Sequence, residues 1–197
     1  SAQSLEDLAL LCSLLGFNVV VPADSVEAAQ ATAVAVATDG PFYIRTGRPA
    51  VPFVYDPSHK FVLGKAFQHR DGADVTLIAC GIMVKAAIDA GEALAKEGIQ
   101  ARVLNMATLA PLDEAAILAA ANDTGAIVTA EEHLEHGGLG SLVSRVLVQN
   151  TPVPQEFVAV KGRYGQSGKP AELLKEYGLT ADDIVAAAKK AVARRRK

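Results

Sequence analysis

The sequence contains no tryptophan, and aromatic residues make up only 5% of its 197 positions. Alanine is instead the most frequent residue. Small side chains at this density allow helices to lie close against a sheet, whereas the core of a β-sandwich needs bulkier ones. The composition therefore favours an α/β fold.

Cysteine is also scarce, and Cys12 and Cys80 are the two present. They are far apart in the chain and lie within apolar segments, so neither a disulfide nor a paired metal site is indicated. We expect two buried free thiols in a reducing compartment.

No apolar run approaches the roughly 20 residues that a membrane-spanning helix needs. The N-terminal residues 1–7 also lack the basic and apolar regions of a signal peptide. With 22 acidic and 19 basic residues, the net charge of −3 disfavours nucleic-acid binding. These absences predict a soluble, cytoplasmic protein with neither membrane nor nucleic-acid partners.

Hydrophobic residues, half of the total, form helical and strand-like blocks in alternation. The elements predicted before residue 47 are a helix near 5–15, a strand at 18–23, an alanine-rich helix capped by Asp24 or Ser25, and a strand at 42–46. Residues 47–58 carry three prolines and no periodicity, which indicates a linker.

The alternation is clearer after the linker. The predicted strands are 74–80, 101–106, 125–130 and 153–160, and the predicted helices are 83–96, 113–122, 141–148, 170–177 and 181–195. Short strand–helix–strand connections predict parallel strands joined by right-handed crossovers. We therefore expect a partial α/β domain at 1–58, with too few strands to cover its own sheet, and a doubly wound, mostly parallel α/β domain at 59–197.

Two polar clusters follow the strand predicted at 125–130. Residues 137–140 (GGLG) lie where a phosphate cradle would be. They have neither the order of a dinucleotide fingerprint nor the lysine of a P-loop, so a tight structural turn is favoured. Residues 131–136 contain three glutamates and two histidines and are a minor candidate for a metal site. Solvation in a loop is the favoured interpretation of this cluster.

Arg45 and Arg48 lie at the end of the strand predicted at 42–46. A guanidinium on a short, proline-stiffened loop suits bidentate binding of a phosphate. A surface ion pair is an equally weighted alternative. The glycine-rich segment 162–169 is interpreted as a connector and less readily as a binding loop. The basic residues 194–197 are expected to complement the dipole of the last helix.

Several segments, in order along the chain, resemble the transketolases, thiamine-diphosphate enzymes that move a two-carbon ketol unit between sugar phosphates. The matching segments are 3–9 (QSLEDLA), 21–24 (VPAD), 40–49 (GPFYIRTGRP), 104–113 (LNMATLAPLD), 130–141 (AEEHLEHGGLGS) and 167–174 (SGKPAELL). The resemblance implies that residues 1–58 are the later half of the pyrimidine-binding domain and that residues 59–197 are the C-terminal domain.

The resemblance also implies a division of the cofactor site. The glutamate that activates the cofactor and the aromatic residues that stack on it would lie upstream of this chain. The diphosphate and its Mg²⁺ or Ca²⁺ would be held by a further domain. The chain would then need an N-terminal transketolase segment or subunit, in a homodimer or a heterotetramer, and would not bind the cofactor alone.

Among the site residues, Arg48 matches the arginine with which the family contacts the substrate phosphate. Ala2 stands where many members have a histidine or glutamine that helps bind substrate, so that contribution would be missing. No residue of this chain is assigned a catalytic role. Two alternatives stay open, namely a non-catalytic dimerisation or interaction module derived from the family and a fragment of an enzyme similar to deoxyxylulose-phosphate synthase.

Overall fold

The protein is described by a computed structural model over residues 4–195. The strands are β1 (Asn18–Val20), β2 (Phe42–Ile44), β3 (Phe67–Arg70), β4 (Val75–Ala79), β5 (Ala101–Asn105), β6 (Thr108–Ala110), β7 (Ile127–Leu134) and β8 (Gln155–Val160). The helices are α1 (Asp7–Cys12), α2 (Ser25–Ala37), α3 (Met83–Lys96), α4 (Glu114–Thr124), α5 (Leu139–Gln149), α6 (Pro170–Glu176) and α7 (Ala181–Ala193).

The larger of the two sheets has the strand order β3-β5-β4-β7-β8. Strands β5, β4, β7 and β8 are parallel, and β3 runs antiparallel at the edge. The central strand β4 alternates between two cores. Val75, Leu77 and Ala79 pack with α3 and α7, whereas Ile78 packs with α4 and α5. Helices therefore cover both faces, which confirms the prediction of a doubly wound, mostly parallel domain.

The helices that have clear terminal signals lie where the sequence predicts them. Asp24 caps α2 because its carboxylate accepts from the Glu27 N–H at 3.0 Å. Asp113 caps α4 in the same way, accepting from the Ala116 N–H at 3.2 Å. Helix α4 ends at Gly125, whose φ of +65° is the left-handed conformation that glycine favours.

Three elements differ from the sequence-based expectation. The short strands β3 and β6 are absent from it, because each pairs antiparallel with a distant strand and lacks a long apolar run. Strand β7 extends to Leu134, past the residue 130 at which the apolar pattern ends. Its additional polar side chains have partners on other elements, since Glu131 accepts from the first N–H groups of α5, Glu132 faces Arg45 and His133 accepts from the Ala9 N–H. Periodicity cannot reveal these partners.

The smaller sheet has the order β2-β1-β6. Strands β1 and β2 are parallel, and β6, which comes from beyond the linker, joins β1 in the antiparallel direction. The first unit thus completes its sheet with a strand that follows β5 in the chain. A domain boundary at residue 58 stays a prediction, and the two parts share a sheet across it.

The predicted linker at 47–58 has no helix or strand, but it is held at its far end. The Asp24 carboxylate, besides capping α2, accepts from the N–H groups of Val54 and Tyr55 at 2.8 and 2.9 Å. The buried Glu27 carboxylate accepts from the side-chain amide of Asn105 on β5 at 2.9 Å. Charged and polar groups at the start of α2 therefore fix both the linker and the adjoining domain.

The expectations about membrane-spanning helices and about the two cysteines can be compared with the structure. Within residues 4–195, no helix is long and apolar enough to cross a membrane. Both cysteines are free, with Cys80 buried and Cys12 partly buried. Burial raises the pKa of the Cys12 thiol to about 11, so it is a poor nucleophile at neutral pH.

The buried Glu27 predicts a pH-dependent difference in stability between the wild type and Glu27→Gln. Burial raises the pKa of Glu27 from its usual 4.5 to about 7, so the folded chain holds this proton more tightly than the unfolded chain does. As the pH rises from the usual Glu pKa of 4.5 through the raised value of about 7, we expect the wild type to lose on the order of 1–3 kcal/mol of unfolding free energy relative to the variant.

Urea unfolding of both proteins at pH values below, within and above the window measures this difference. The exposed Glu92 on α3 provides the control, since Glu92→Gln removes a charge that faces solvent. A difference between the wild type and Glu27→Gln that is constant with pH would contradict the assignment of a raised pKa.

Candidate functional site

The carboxyl ends of β4 and β7 form the place where a doubly wound sheet usually binds its ligand. The chain leaves β4 towards β5 on one side and returns to β7 on the other, so the topology switches there. In this protein the first unit covers that edge. The Gly81 N–H donates to the Val21 carbonyl at 3.1 Å, and a Cβ on Gly81 would lie 2.8 Å from the Val21 side chain. The switch point is therefore used for internal packing.

The glycine-rich turn at 137–140 holds a carboxylate of the protein itself. Glu131 is 1% exposed, and it accepts from the backbone N–H groups of Leu139 and Gly140 at 2.7 and 2.8 Å. Burial raises the pKa of Glu131 to about 7, against the effect of these two donors, which favour the charged form. The carboxylate occupies the N-terminus of α5, where a phosphate would otherwise bind. The glycines are thus a structural turn, as favoured from the sequence.

The interpretation of residues 131–136 as a solvated loop is wrong for residues 131–134, whereas His136 is exposed in the turn that follows. Residues 131–133 belong to β7, and His133 is fully buried. Its Nδ1 donates to the Leu134 carbonyl at 2.7 Å, and its Nε2 accepts from the Ala9 N–H at 3.3 Å. Burial lowers the pKa of His133, in agreement with a neutral ring that links α1 to β7.

The cofactor implied by the sequence resemblance needs a diphosphate site, a metal and a glutamate partner. Residues 4–195 do not fit it. The N-terminus of α5 is filled by Glu131, and within this range no group of three His, Cys, Asp or Glu side chains could hold a metal ion.

The two arginines that follow β2 have different surroundings. The Arg45 side chain is only 18% exposed, and its Nε lies 3.0 Å from Oδ2 of Asp7. Its Nη1 donates to the Glu132 carbonyl at 2.8 Å and lies 3.5 Å from the Glu132 carboxylate. Since its Nε and Nη1 already have partners within the protein, Arg45 is part of an internal ion-pair cluster.

Arg48 is exposed, and within the described part of the chain no hydrogen bond or ion pair reaches its guanidinium. It lies beyond the carboxyl ends of the parallel strands β1 and β2. The ladder extends one residue past β2, since the Arg45 N–H donates to the Val20 carbonyl at 2.9 Å. The region outside the carboxyl ends of parallel strands is a favoured ligand position in an α/β sheet. Arg48 is therefore the residue of the predicted site that is free to bind an anion.

The other candidate binding residues predicted from the sequence have contacts elsewhere in the chain. The segment 162–169 is exposed, and its Arg163 pairs with Glu176 at 2.6 Å. Arg194 pairs with Glu156, and Arg195 donates to the Thr124 carbonyl at the end of α4, so these two arginines pack on the chain. Ala2, Arg196 and Lys197 lie outside the described residues.

The partners of Arg45 are not found by reasoning from the sequence. Asp7 is buried in the first turn of α1, where its Oδ2 also accepts from the Tyr43 hydroxyl at 2.8 Å. An acidic residue in the first turn of a helix is ordinarily explained by the helix dipole. No local signal distinguishes an acidic residue of that kind from one that binds an arginine on another strand.

The occupied helix N-terminus predicts that Gly138→Ala is strongly destabilising. The backbone at Gly138, with φ −86° and ψ −155°, suits alanine, but the added Cβ would lie 2.0 Å from the Glu131 carboxylate and 2.7 Å from the His133 ring. Because both side chains are buried, we expect a loss of about 1–3 kcal/mol in unfolding free energy. Urea titration measures it.

Gly165→Ala is the matched control, because the nearest atom to its Cβ would be a Leu5 methyl group at 3.9 Å. We expect that variant to unfold at the urea concentration of the wild type. Equal stability of the two variants would show that the Glu131 carboxylate moves aside without cost.

The geometry agrees with what comparison with known proteins finds. Residues 64–184 match the family model described as "Transketolase, C-terminal domain". The chain is 43% identical over 186 residues to the 6-deoxy-6-sulfo-D-fructose transketolase subunit SqwH of Clostridium sp. (strain MSTE9). It is 42% identical over 183 residues to one of the subunits of the apulose-4-phosphate transketolase of Phocaeicola vulgatus. These alignments cover 94% and 92% of this chain, which spans 58% of the length of each relative.

A solved structure described as "Split gene transketolase, inactive beta4 tetramer" superimposes with a TM-score of 0.96 at 44% identity. The match covers 98% of this chain and 63% of that one. The C-terminal family model accounts for more than half of the chain, and the relatives align along nearly all of it. The chain therefore belongs to the transketolase family and corresponds to its C-terminal part.

Proposed function

We propose that this chain is the C-terminal part or subunit of a transketolase, which transfers a two-carbon ketol unit between a ketose phosphate and an aldose phosphate. Membership of the family and the relatives named as transketolase subunits support the proposal. In this proposal the chain contributes substrate binding and subunit contacts, whereas the covalent chemistry belongs to groups outside it.

The observation that carries the substrate class is the contrast between Arg45 and Arg48. Arg45 is held by two carboxylate side chains, whereas Arg48 is exposed beyond the strand ends. A planar guanidinium presents paired donors that match two phosphate oxygens. In the proposal, Arg48 binds the phosphate end of either sugar and orients its carbonyl end towards the reacting centre.

The proposal requires a partner. The assembled enzyme would use thiamine diphosphate with Mg²⁺ or Ca²⁺, held by an N-terminal transketolase segment or subunit. The two relatives named as transketolase subunits are longer than this chain, and the similar solved structure is described as an inactive β4 tetramer. These descriptions support a chain that is not competent by itself. In the proposal it acts in a homodimer or a heterotetramer.

Exposed leucines after the start of α1 support an association surface. Leu10 on α1 and Leu14 and Leu15 in the turn that follows it are 61%, 49% and 103% exposed. Neighbouring exposed apolar side chains of this size favour contact with another protein surface. Within the described chain, strand β2 lies at the edge of its sheet and has an unpaired side.

Two alternative functions can be distinguished from the proposed one by experiment. A non-catalytic module would assemble without any effect of Arg48 on catalysis. An enzyme similar to deoxyxylulose-phosphate synthase would share the assembly but differ in its acceptor. The Clostridium and Phocaeicola relatives are transketolase subunits by name, which favours the transketolase assignment.

Arg48→Ala in the assembled enzyme tests the substrate class. Because the variant removes one charged bidentate contact, we expect the KM for a phosphorylated aldose acceptor to rise about 10- to 100-fold. The KM for the unphosphorylated acceptor should change less than about twofold. Steady-state kinetics with both acceptors measures the ratio.

Arg145→Ala is the control, since Arg145 is an exposed arginine on α5 that pairs with Glu114 far from the strand ends. It should leave both KM values at those of the wild type. Equal effects of Arg48→Ala on the two acceptors would rule out a role in phosphate binding.

Native mass spectrometry tests the partner requirement. We expect this chain, mixed with an N-terminal transketolase subunit, thiamine diphosphate and magnesium, to form a complex that carries cofactor mass. The chain by itself under the same conditions should carry none, because the N-terminus of α5, where a phosphate would bind, is filled by Glu131. Cofactor retained by the isolated chain would overturn this division of the site.

A further inference from the structure

The loop that carries Arg48 has very few contacts of its own. Residues 46–53 form neither helix nor strand, and within the described chain none of them takes part in a hydrogen bond. Pro49 and Pro52 restrict the backbone, but they also remove two potential donors. Within the described residues, hydrogen bonds therefore constrain Arg48 only from the two ends of the loop.

The far end is held at Val54 and Tyr55 by the Asp24 carboxylate. The near end is held at Arg45, by Asp7 on α1 and by Glu132 on β7. Arg48 is six residues from the first anchor and three from the second. An extended chain covers about 3.3–3.6 Å per residue, so the anchors limit Arg48 to about 20 Å and about 10 Å of chain respectively. The Arg45 anchor is the tighter constraint.

The Arg45 anchor is also rigid. Its guanidinium touches two elements besides its own, and Oδ2 of Asp7 is shared between Arg45 and the Tyr43 hydroxyl. The groups that face Arg45 are thus the carboxylates of Asp7 and Glu132 and the Tyr43 hydroxyl, with the buried Glu131 on the same strand β7. Removal of the Arg45 guanidinium would leave the Asp7 and Glu132 carboxylates without their shared partner.

We propose that Arg45 is a positioning residue for substrate, in that its contacts with Asp7 and Glu132 hold Arg48 at the place where it binds the sugar phosphate. The proposal rests on the proposed function of Arg48. Arg45 itself does not touch substrate. Without the anchor, Arg48 keeps its charge and its exposure but samples many positions, so part of the binding free energy is lost in ordering the loop.

Arg45→Ala in the assembled enzyme should raise the KM for a phosphorylated acceptor about tenfold, with kcat changed by less than about twofold. The KM for the unphosphorylated acceptor should stay at the wild-type value. Arg45→Lys, which keeps the charge but has a single donor group, should give an intermediate KM.

Arg102→Ala is the matched control. Arg102 is 15% exposed and pairs with Asp71 and Asp123 at 3.5 and 2.9 Å, but it lies at the start of β5. It should lower stability to a similar degree as Arg45→Ala and leave the ratio of the two KM values unchanged. A change in that ratio for Arg102→Ala would mean that the effect follows loss of stability and not loss of position.

The double variant Arg45→Ala/Arg48→Ala separates positioning from any independent role. If Arg45 acts through Arg48, removing Arg45 in the Arg48→Ala background should raise the KM no further. Multiplicative effects, or an unchanged KM ratio in Arg45→Ala, would overturn the positioning role while leaving the role of Arg48 intact. No selective effect of Arg48→Ala would instead overturn the proposed function.

Discussion

The contact between the first unit and the carboxyl edge of the larger sheet covers the position where such a sheet usually binds its ligand. Val21 donates its N–H to the Ala107 carbonyl at 2.7 Å and accepts from Gly81, so β1 is attached to the loops that follow both β5 and β4. In an open α/β sheet this edge is the usual ligand site. Once it is covered, the free edge is that of β1 and β2, and Arg48 lies there.

Acidic side chains of the protein itself occupy the N-termini of three helices. Glu131 lies at the start of α5, Asp24 caps α2 and Asp113 caps α4. Each carboxylate satisfies backbone donors that would otherwise attract a phosphate, and each also joins distant segments. Asp24 fixes the linker, and Asp113 accepts from the Ala66 N–H at 3.1 Å. Anion-binding positions have thus become internal connections.

The predictable parts of the fold are those encoded by neighbouring residues. Helix α3 begins and ends at the residues predicted for it, and α2 and α4 begin at their capping aspartates. The failures involve partners far away in the chain. Strand β6 exists because β1 needs a neighbour, and β7 continues through charged residues because a helix N-terminus and Ala9 bind them. Periodicity contains no information about such partners.

The site shows the same limit. The sequence identifies two arginines beside a proline-stiffened loop and offers no reason to separate them, because the distinction depends on Asp7 and Glu132. The resemblance to a family selects Arg48 as the phosphate ligand, and the structure adds that Arg45 is already paired. Burial of Glu131 is equally unpredictable, since an acidic residue after a strand is normally solvated.

The two arginines illustrate how a loop without internal hydrogen bonds can present a charge at a defined place. A binding cation has to remain solvated until substrate arrives, so it cannot be fixed by an ion pair of its own. A second cation nearby can be fixed, because its charge is neutralised permanently by buried acids. Arg45 and Arg48 divide these requirements over three residues of chain. In the proposed roles, affinity for a phosphate would depend on Asp7 and Glu132, which do not touch the substrate, as well as on the exposed guanidinium itself.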